Sequence, residues 1–188
     1  MSKRLLYLCL IIALALSLTS CAHHDDPLVD QALNPATMDN VFEYKPSEIK
    51  PYKCQKVCDI ALINAESRKE KYVFWNPGGI ASYTPHKFAG TIIRYMGEEL
   101  VRRGLQVNDQ SQKKIIVSLG EAKFGPDGWT QRGFFELKIE IPDLNFQKTY
   151  RGSDASPEVR WAIAYAVHHS VMEFMKDPVV VEYIESKP

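Results

Sequence analysis

The chain has 188 residues, with 23 basic and 23 acidic side chains, so its formal charge at neutral pH is zero. Lys3 and Arg4 belong to a predicted signal peptide, and without them 21 basic residues stand against 23 acidic ones, a net charge of −2. That balance excludes the strongly basic surface typical of nucleic-acid-binding proteins. The length suits one domain with a hydrophobic core and is short for two.

Residues 1–20 predict a lipoprotein signal peptide. Lys3 and Arg4 precede an apolar run over residues 5–16, and small residues then lead into Cys21. This order is typical of a secretory signal, and the run is shorter than the roughly 20 residues that span a membrane. The LTSC ending resembles a lipobox, which implies cleavage before Cys21, a diacylglyceryl thioether on its sulfur and N-acylation. The alternative is an ordinary secreted protein with an unrelated cysteine.

The lipid anchor and the residue after it predict the location. Ala22 stands where an aspartate tends to retain enterobacterial lipoproteins at the inner membrane. We therefore expect an outer-membrane lipoprotein whose domain faces the periplasm. Several acyl chains anchor a protein stably where one chain is marginal.

Residues 21–50 are predicted to be the lipidated cysteine and a flexible tether, and residues 51–188 a single periplasmic domain. The tether is rich in proline and polar residues, and a flexible chain of its length spans about 30 Å. Its cluster His23-His24-Asp25-Asp26 is more typical of a solvated linker than of a metal site, because nothing there fixes a coordination geometry.

Two cysteines remain for an oxidising compartment once the signal is removed and Cys21 is lipidated. Cys54 and Cys58 could form a disulfide. An extended strand would hold their Cα atoms about 13 Å apart, and a bridge needs less than about 7 Å. The bond therefore requires a turn there; two free thiols are the alternative.

The domain begins with two predicted strands and a long helix. The strands cover residues 57–64 and 71–75, and a turn follows at residues 76–79. Thr84-Pro85 then starts a helix of about 18 residues. Its apolar residues recur at helical spacing, and Gly104 is suited to cap its C-terminus.

Three strands and a second long helix follow. Alternating apolar residues mark strands around residues 115–119 and 135–141, and a third covers residues 146–151. Ser156-Pro157 starts a helix that ends at Lys176, and a short terminal helix comes after Pro178. The order predicts an α+β fold: a two-layer sandwich, with a mainly antiparallel sheet and two long helices on one face.

The second long helix is apolar on two sides. Val159, Ile163 and Val167 belong to a core stripe, whereas Trp161, Tyr165 and Met172 lie nearly opposite. Either another part of the chain covers this second stripe, or it is a partner-binding site built on aromatic anchors.

Small residues predict where the two long helices approach each other. Gly90 and Gly97 lie on one edge of the first helix, and Ala162, Ala166 and Ser170 lie on one edge of the second. We expect these edges to meet side by side on the sheet.

The sequence of the domain contains no known catalytic motif, so we do not expect an enzyme. Serine-hydrolase, zinc-protease and phosphate-loop motifs are missing. His169 and Glu173 share a helix face, but two ligands are too few for a metal site. No metal or cofactor is therefore expected. Trp129, just after a turn, could contact a membrane or a partner, or fold back onto the sheet.

Several segments of the C-terminal half form a recognisable pattern. They are IIRYMGEELVRRGLQ at the first helix and its exit, the strand at residues 115–119, Tyr150-Arg151, and FMKDP with EYI near the end. Together with the lipobox near the N-terminus, this pattern resembles the YajG-like bacterial lipoproteins. The resemblance implies an outer-membrane lipoprotein without catalytic residues.

The sequence thus favours a non-enzymatic interaction module that binds another envelope component. Trp161, Tyr165 and Met172 are the predicted contact. The alternative is a carrier for a lipid or glycan fragment, or an auxiliary lipoprotein of a lipid-transport system, with a pocket between sheet and helices.

Overall fold

The computed structural model describes residues 24–25, 31–34, 51–53, 58–76 and 79–186 of the chain. The strands are β1 (His24–Asp25), β2 (Asp59–Asn64), β3 (Tyr72–Asn76), β4 (Gly79–Tyr83), β5 (Gln106–Val107), β6 (Lys114–Asp127), β7 (Thr130–Ile141) and β8 (Phe146–Ser156). The helices are α1 (Pro85–Arg102), α2 (Val159–Lys176) and α3 (Pro178–Glu185), with a short 3₁₀ helix at Pro142–Leu144.

A five-stranded mixed sheet forms the centre of the domain, in the order β5-β2-β6-β7-β8. β6, β7 and β8 form an antiparallel meander, whereas β2 is parallel to both β5 and β6. Along β7 the side chains of Phe135, Leu137, Ile139 and Ile141 are buried, as the alternation in the sequence predicts. One face of the sheet is therefore the core face.

The helices cover that core face. Phe88 of α1 packs against Phe135 of β7, with ring centroids 5.5 Å apart, and α2 lies over β7 and β8. The predicted α+β sandwich is confirmed. The detail of two long helices is incomplete, because the shorter α3 also packs into the core, through Val180 and Ile184.

Both long helices begin with the local signals that the sequence carries. Pro85 occupies the first turn of α1 after an extended Thr84, and Gly104 follows the helix with φ of 90°. That positive φ suits glycine, which has no Cβ to clash. α2 begins at Val159, shortly after Ser156-Pro157, and ends at Lys176.

α2 lies very close to the sheet because two strand glycines make room for it. A Cβ on Gly133 would collide with the carbonyl of Ala162, and one on Gly152 would collide with the carbonyl of Ala166. The prediction that these alanines meet the glycines of α1 is wrong. Gly97 instead faces Leu62 and Val107, on the strands beneath α1.

A second, smaller sheet lies beside the first. The hairpin β3–β4 is extended by β1, which runs parallel to β4 and pairs His24 with Ala81. One side of the hairpin packs on β6: the ring of Phe74 lies 5.6 Å from that of Phe124, and the ring of Tyr83 lies 5.8 Å from it. The strands β1, β4 and β5 are not predicted from the sequence.

Two pieces of the predicted tether contact the domain. β1 is one, and the other includes Ala32 and Leu33, both buried in the core. The other residues of the predicted tether, the predicted signal peptide and Cys21 lie outside the described residues, as does Cys54. Cys58 is disulfide-bonded, and its pairing with Cys54 stays a prediction.

Candidate interaction surfaces

The outward edge of α2 carries the residues that the sequence predicts as a partner site. Trp161, Tyr165 and Met172 are all half-buried there, while the opposite side of the helix is fully buried. The Arg160 guanidinium lies over the Trp161 ring at 4.8 Å, and the rings of Tyr165 and His169 are 6.5 Å apart. Polar groups therefore border an aromatic edge that remains partly open to solvent.

The Met172 end of this edge is partly covered by the chain itself. Arg103 directs a guanidinium nitrogen at the Met172 sulfur, 3.7 Å away. The backbone N–H of Tyr52 donates to the Arg103 carbonyl at 3.0 Å, and the Tyr52 hydroxyl donates to the Met175 carbonyl at 3.3 Å. The structure thus brings Trp161 and Tyr165 to one open edge, and Met172 to its covered end.

A polar contact joins α1 to α2 behind that edge. The Tyr95 hydroxyl and His168 Nδ1 are 2.6 Å apart, and Tyr95 is almost fully buried. Burial lowers the pKa of His168 to about 3, and the positive charges of nearby His169, Lys176 and Arg103 act in the same direction. His168 is therefore neutral at physiological pH and adds no charge beside Tyr165.

A second exposed apolar surface lies on the hairpin β3–β4. Val73, Trp75 and Ile80 are 62%, 58% and 54% exposed. Val73 and Trp75 alternate with the inward Phe74, and the strand register places Ile80 directly opposite Trp75. The hairpin is thus apolar on both sides, whereas the solvent side of a two-stranded unit is ordinarily polar. We call this outward set, Val73, Trp75 and Ile80, the hairpin face.

Trp129 is fully exposed at the turn between β6 and β7, which turns at Gly128 with φ of 63°. The sequence leaves open whether this ring is exposed or packs on the sheet, and the structure shows it exposed. Sequence reasoning missed the hairpin face, because a run such as Tyr-Val-Phe-Trp is equally typical of a strand covered on both sides. The alternating order of Val73 and Trp75 around Phe74 was the available signal.

A buried carboxylate attaches the loop before the hairpin to the main sheet. Glu66 accepts hydrogen bonds from the backbone and guanidinium of Arg68 and from the Leu119 N–H, and Arg68 donates in turn to the Leu119 carbonyl. These contacts meet β6 where its register shifts at a bulge between Leu119 and Ala122. The Arg68 hydrogen bonds, more than any other cause, lower the pKa of Glu66 to about 2.

The described residues contain no group of three histidine, cysteine, aspartate or glutamate side chains placed to hold a metal ion. His169 lies 3.8 Å from Asp154, an exposed contact between a helix and a strand. Within the same described part, no helix is long and apolar enough to cross a membrane.

Two sequence comparisons give no match. No protein-family model matches the chain, and no curated protein has a matching sequence. The resemblance to YajG-like lipoproteins therefore remains a prediction from the sequence.

Proposed function

We propose that the protein is a lipid-anchored, non-enzymatic interaction module of the bacterial envelope. The anchor is Cys21, the membrane is the outer membrane, and the domain faces the periplasm. The lipobox and Ala22 support the location, and the α+β domain after them supports a folded binding unit. The YajG-like pattern of the C-terminal half agrees with this class.

The observation that carries the proposal is the partly exposed aromatic edge of α2. Trp161 and Tyr165 stay half-buried on a helix whose other side is fully packed. Tryptophan, tyrosine and arginine are enriched among residues that dominate binding energy, and Arg160 accompanies Trp161 here. The proposed partner is another envelope protein that covers Trp161, Tyr165 and the adjacent exposed part of Met172.

The carrier alternative has less support from the described residues. Small-molecule sites are concave and mostly apolar, and they enclose most of the ligand. The grooves found here are open and lined by mixed groups. One lies on the outer face of the sheet between Ser118, Lys138 and Thr149, and another lies between Arg68, Tyr72 and Lys123.

In-cell photocrosslinking tests the binding edge. A photoreactive amino acid replaces Trp161 or Tyr165 in the full chain, and the matched control replaces Arg94, an exposed residue of α1. We expect a discrete protein adduct from the two α2 positions and none from Arg94. Adducts of equal yield at all three positions, or none from a folded and anchored protein, would contradict a partner site on α2.

Mass spectrometry of the N-terminal peptide tests the anchor. We expect the mature chain to begin at an acylated Cys21, and Cys21→Ala to leave the protein uncleaved and without lipid. An unmodified Cys21 in a processed chain would contradict the proposed localisation.

A further inference from the structure

We infer that the hairpin face and Trp129 rest in the surface of the lipid bilayer that holds the anchor, so that the domain sits on the membrane by one defined end. The inference rests on the proposed lipidation of Cys21 but not on the proposed partner site of α2. Its occupant is lipid, and a protein occupant is an outcome of the test.

The tips of two hairpins lie at the same end of the molecule. The Tyr83 hydroxyl donates to the Ala122 carbonyl, and Phe74 contacts Phe124 two residues further along β6. β3 therefore runs alongside β6 in the same direction. Trp75 comes one residue after Phe74, and β6 reaches its own turn at Gly128 and Trp129. At about 3.3 Å per residue, Trp75 lies within roughly 15 Å of that turn along the strands.

The N-terminal strand β1 lies at this same end. β1 is parallel to β4 and pairs His24 with Ala81, the neighbour of Ile80. β4 starts at the hairpin tip, so β1, which runs parallel to it, also starts on the side of that tip. Cys21 is three residues earlier in the sequence, and three residues of chain span at most about 11 Å. The acyl chains are therefore tied close to Ile80 and Trp75.

All three tryptophans of the chain lie toward this end. Besides Trp75 and Trp129, the third is Trp161, in the first turn of α2. This helix begins just after β8, whose last residue, Ser156, pairs with Gln131 of β7, close to the β6–β7 turn. Tryptophan is enriched at membrane interfaces, where one edge of the ring is apolar and the other is hydrated. An exposed apolar patch of this kind marks a contact surface, and the position of the anchor selects the bilayer as that contact.

Two ion pairs near the tips neutralise the charges of the side chains that form them. Arg132 contacts Asp127 at 2.6 Å beside the β6–β7 turn, and Arg160 contacts Glu158 at 2.6 Å at the start of α2. An apolar surface with neutralised charge at its border is suited to the boundary between headgroups and acyl chains.

Tryptophan quenching by brominated lipid tests the inference. The full lipidated protein is reconstituted in phosphatidylethanolamine–phosphatidylglycerol vesicles, with or without phosphatidylcholine brominated on its acyl chains. One protein keeps only Trp75, through Trp129→Phe and Trp161→Phe, and a second keeps only Trp129, through Trp75→Phe and Trp161→Phe. The control carries all three Trp→Phe changes and Leu144→Trp, which places the probe at an exposed position of the opposite end.

We expect brominated lipid to reduce Trp75 and Trp129 emission at least about twofold more than control emission, since interfacial side chains lie roughly 5–10 Å into the boundary. In the Trp75-only protein, Ile80→Glu should weaken the quenching. The matched change Ile63→Glu, on the open face of the main sheet, should leave it unchanged. Both substitutions replace an exposed isoleucine with one acid, so a difference in quenching between them reflects only where the acid lies.

Equal quenching at all three probe positions, in protein with lipid on Cys21, would overturn the inference. A photocrosslink from Val73 to an envelope protein, without lipid quenching, would overturn it in favour of a protein occupant. An unmodified Cys21 would remove its basis. The vesicles contain no other protein, so failure of crosslinking from α2 leaves the quenching result valid.

Discussion

The two ends of the five-stranded sheet meet their surroundings differently. At the end where β6 begins and β7 turns into β8, α3 closes the structure with polar contacts. Asp177 accepts from Lys148, Tyr150 and the Val179 N–H, and the Tyr183 hydroxyl donates to Asp143. At the other end the hairpin face and Trp129 expose apolar side chains. The first end is covered by α3, whereas the second leaves an apolar surface open for a contact.

The closed end also contains a buried cation. Lys113 Nζ donates to the Ile184 carbonyl at 2.9 Å and to the Ser186 carbonyl, both at the C-terminal end of α3. A positive charge stabilises that end of a helix. Burial lowers the pKa of Lys113, partly offset by Asp59. The described part of the chain covers the closed end but leaves the hairpin face and Trp129 exposed. These exposed apolar side chains are therefore suited to a contact with another molecule or a membrane.

The largest expected effect is on the tight contact between α2 and the sheet. Gly152→Ala should lower the free energy of unfolding by about 3 kcal/mol, because the new Cβ meets the backbone of Ala166 and Ser170, which cannot move alone. Gly125→Ala, near the exposed end, has open space around it and should change stability little. Urea unfolding of both variants provides the measurement. Equal midpoints would contradict the tight packing.

Acid should loosen the attachment of the exposed end. The pKa of Glu66 is about 2 in the folded chain against an ordinary value of 4.5. A lowered carboxyl pKa contributes stability that is complete above pH 4.5 and is lost as the pH falls towards 2. We expect about 3 kcal/mol to disappear across that window.

Glu66→Gln should lower stability at pH 7 and flatten its dependence between pH 4.5 and 2. Denaturant midpoints of both proteins across this range provide the measurement. Parallel profiles of the native protein and the variant would show that another group controls the acid response.

A smaller loss of folding stability is expected from substitutions at the closed end. Asp177→Ala removes the cap of α3 and the acceptor for the buried Tyr150 hydroxyl, and should cost about 2 kcal/mol. Lys148→Ala should cost less, because the lysine side chain is half exposed. Thermal unfolding separates the two, and a larger loss for the lysine variant would contradict this assignment.

The smallest effect on stability is expected at the turn of the exposed end. Trp129→Ser should leave the unfolding midpoint unchanged, because the ring makes little contact with the folded chain. A clear drop in the midpoint would show that the ring packs on the domain and that this end is not an open surface.

The sequence predicts the fold class and most elements because their signals are local. Pro85 and Gly104 mark the ends of α1, and the alternation from Phe135 to Ile141 marks β7 and its buried side. The pairing of α2 with Gly133 and Gly152 was not predictable from a helix pattern. It depends on which distant strands lie beneath the helix, and no local period encodes that contact.

The candidate surfaces also depend partly on local sequence patterns and partly on long-range contacts. The two-sided pattern of α2 identifies Trp161, Tyr165 and Met172, but the cover that Tyr52 and Arg103 place near Met172 is a long-range contact. The hairpin face was missed because exposure of Trp75 depends on what packs beside it. A sequence pattern assigns sides to a strand, but it does not say how many of them are covered.

The parallel pairing of β2 with β6 has a consequence for the order of folding as the chain is synthesised. β2 is synthesised before β6, and its pairing partners lie far along the chain, since Leu62 pairs with Ile115, more than 50 residues later. The β6–β7–β8 meander joins neighbouring segments and can form as soon as it emerges, because local contacts close at low entropic cost. β2 must wait for it with apolar residues unpaired. Until β6 has formed, the early part of the chain is thus the part most prone to aggregation.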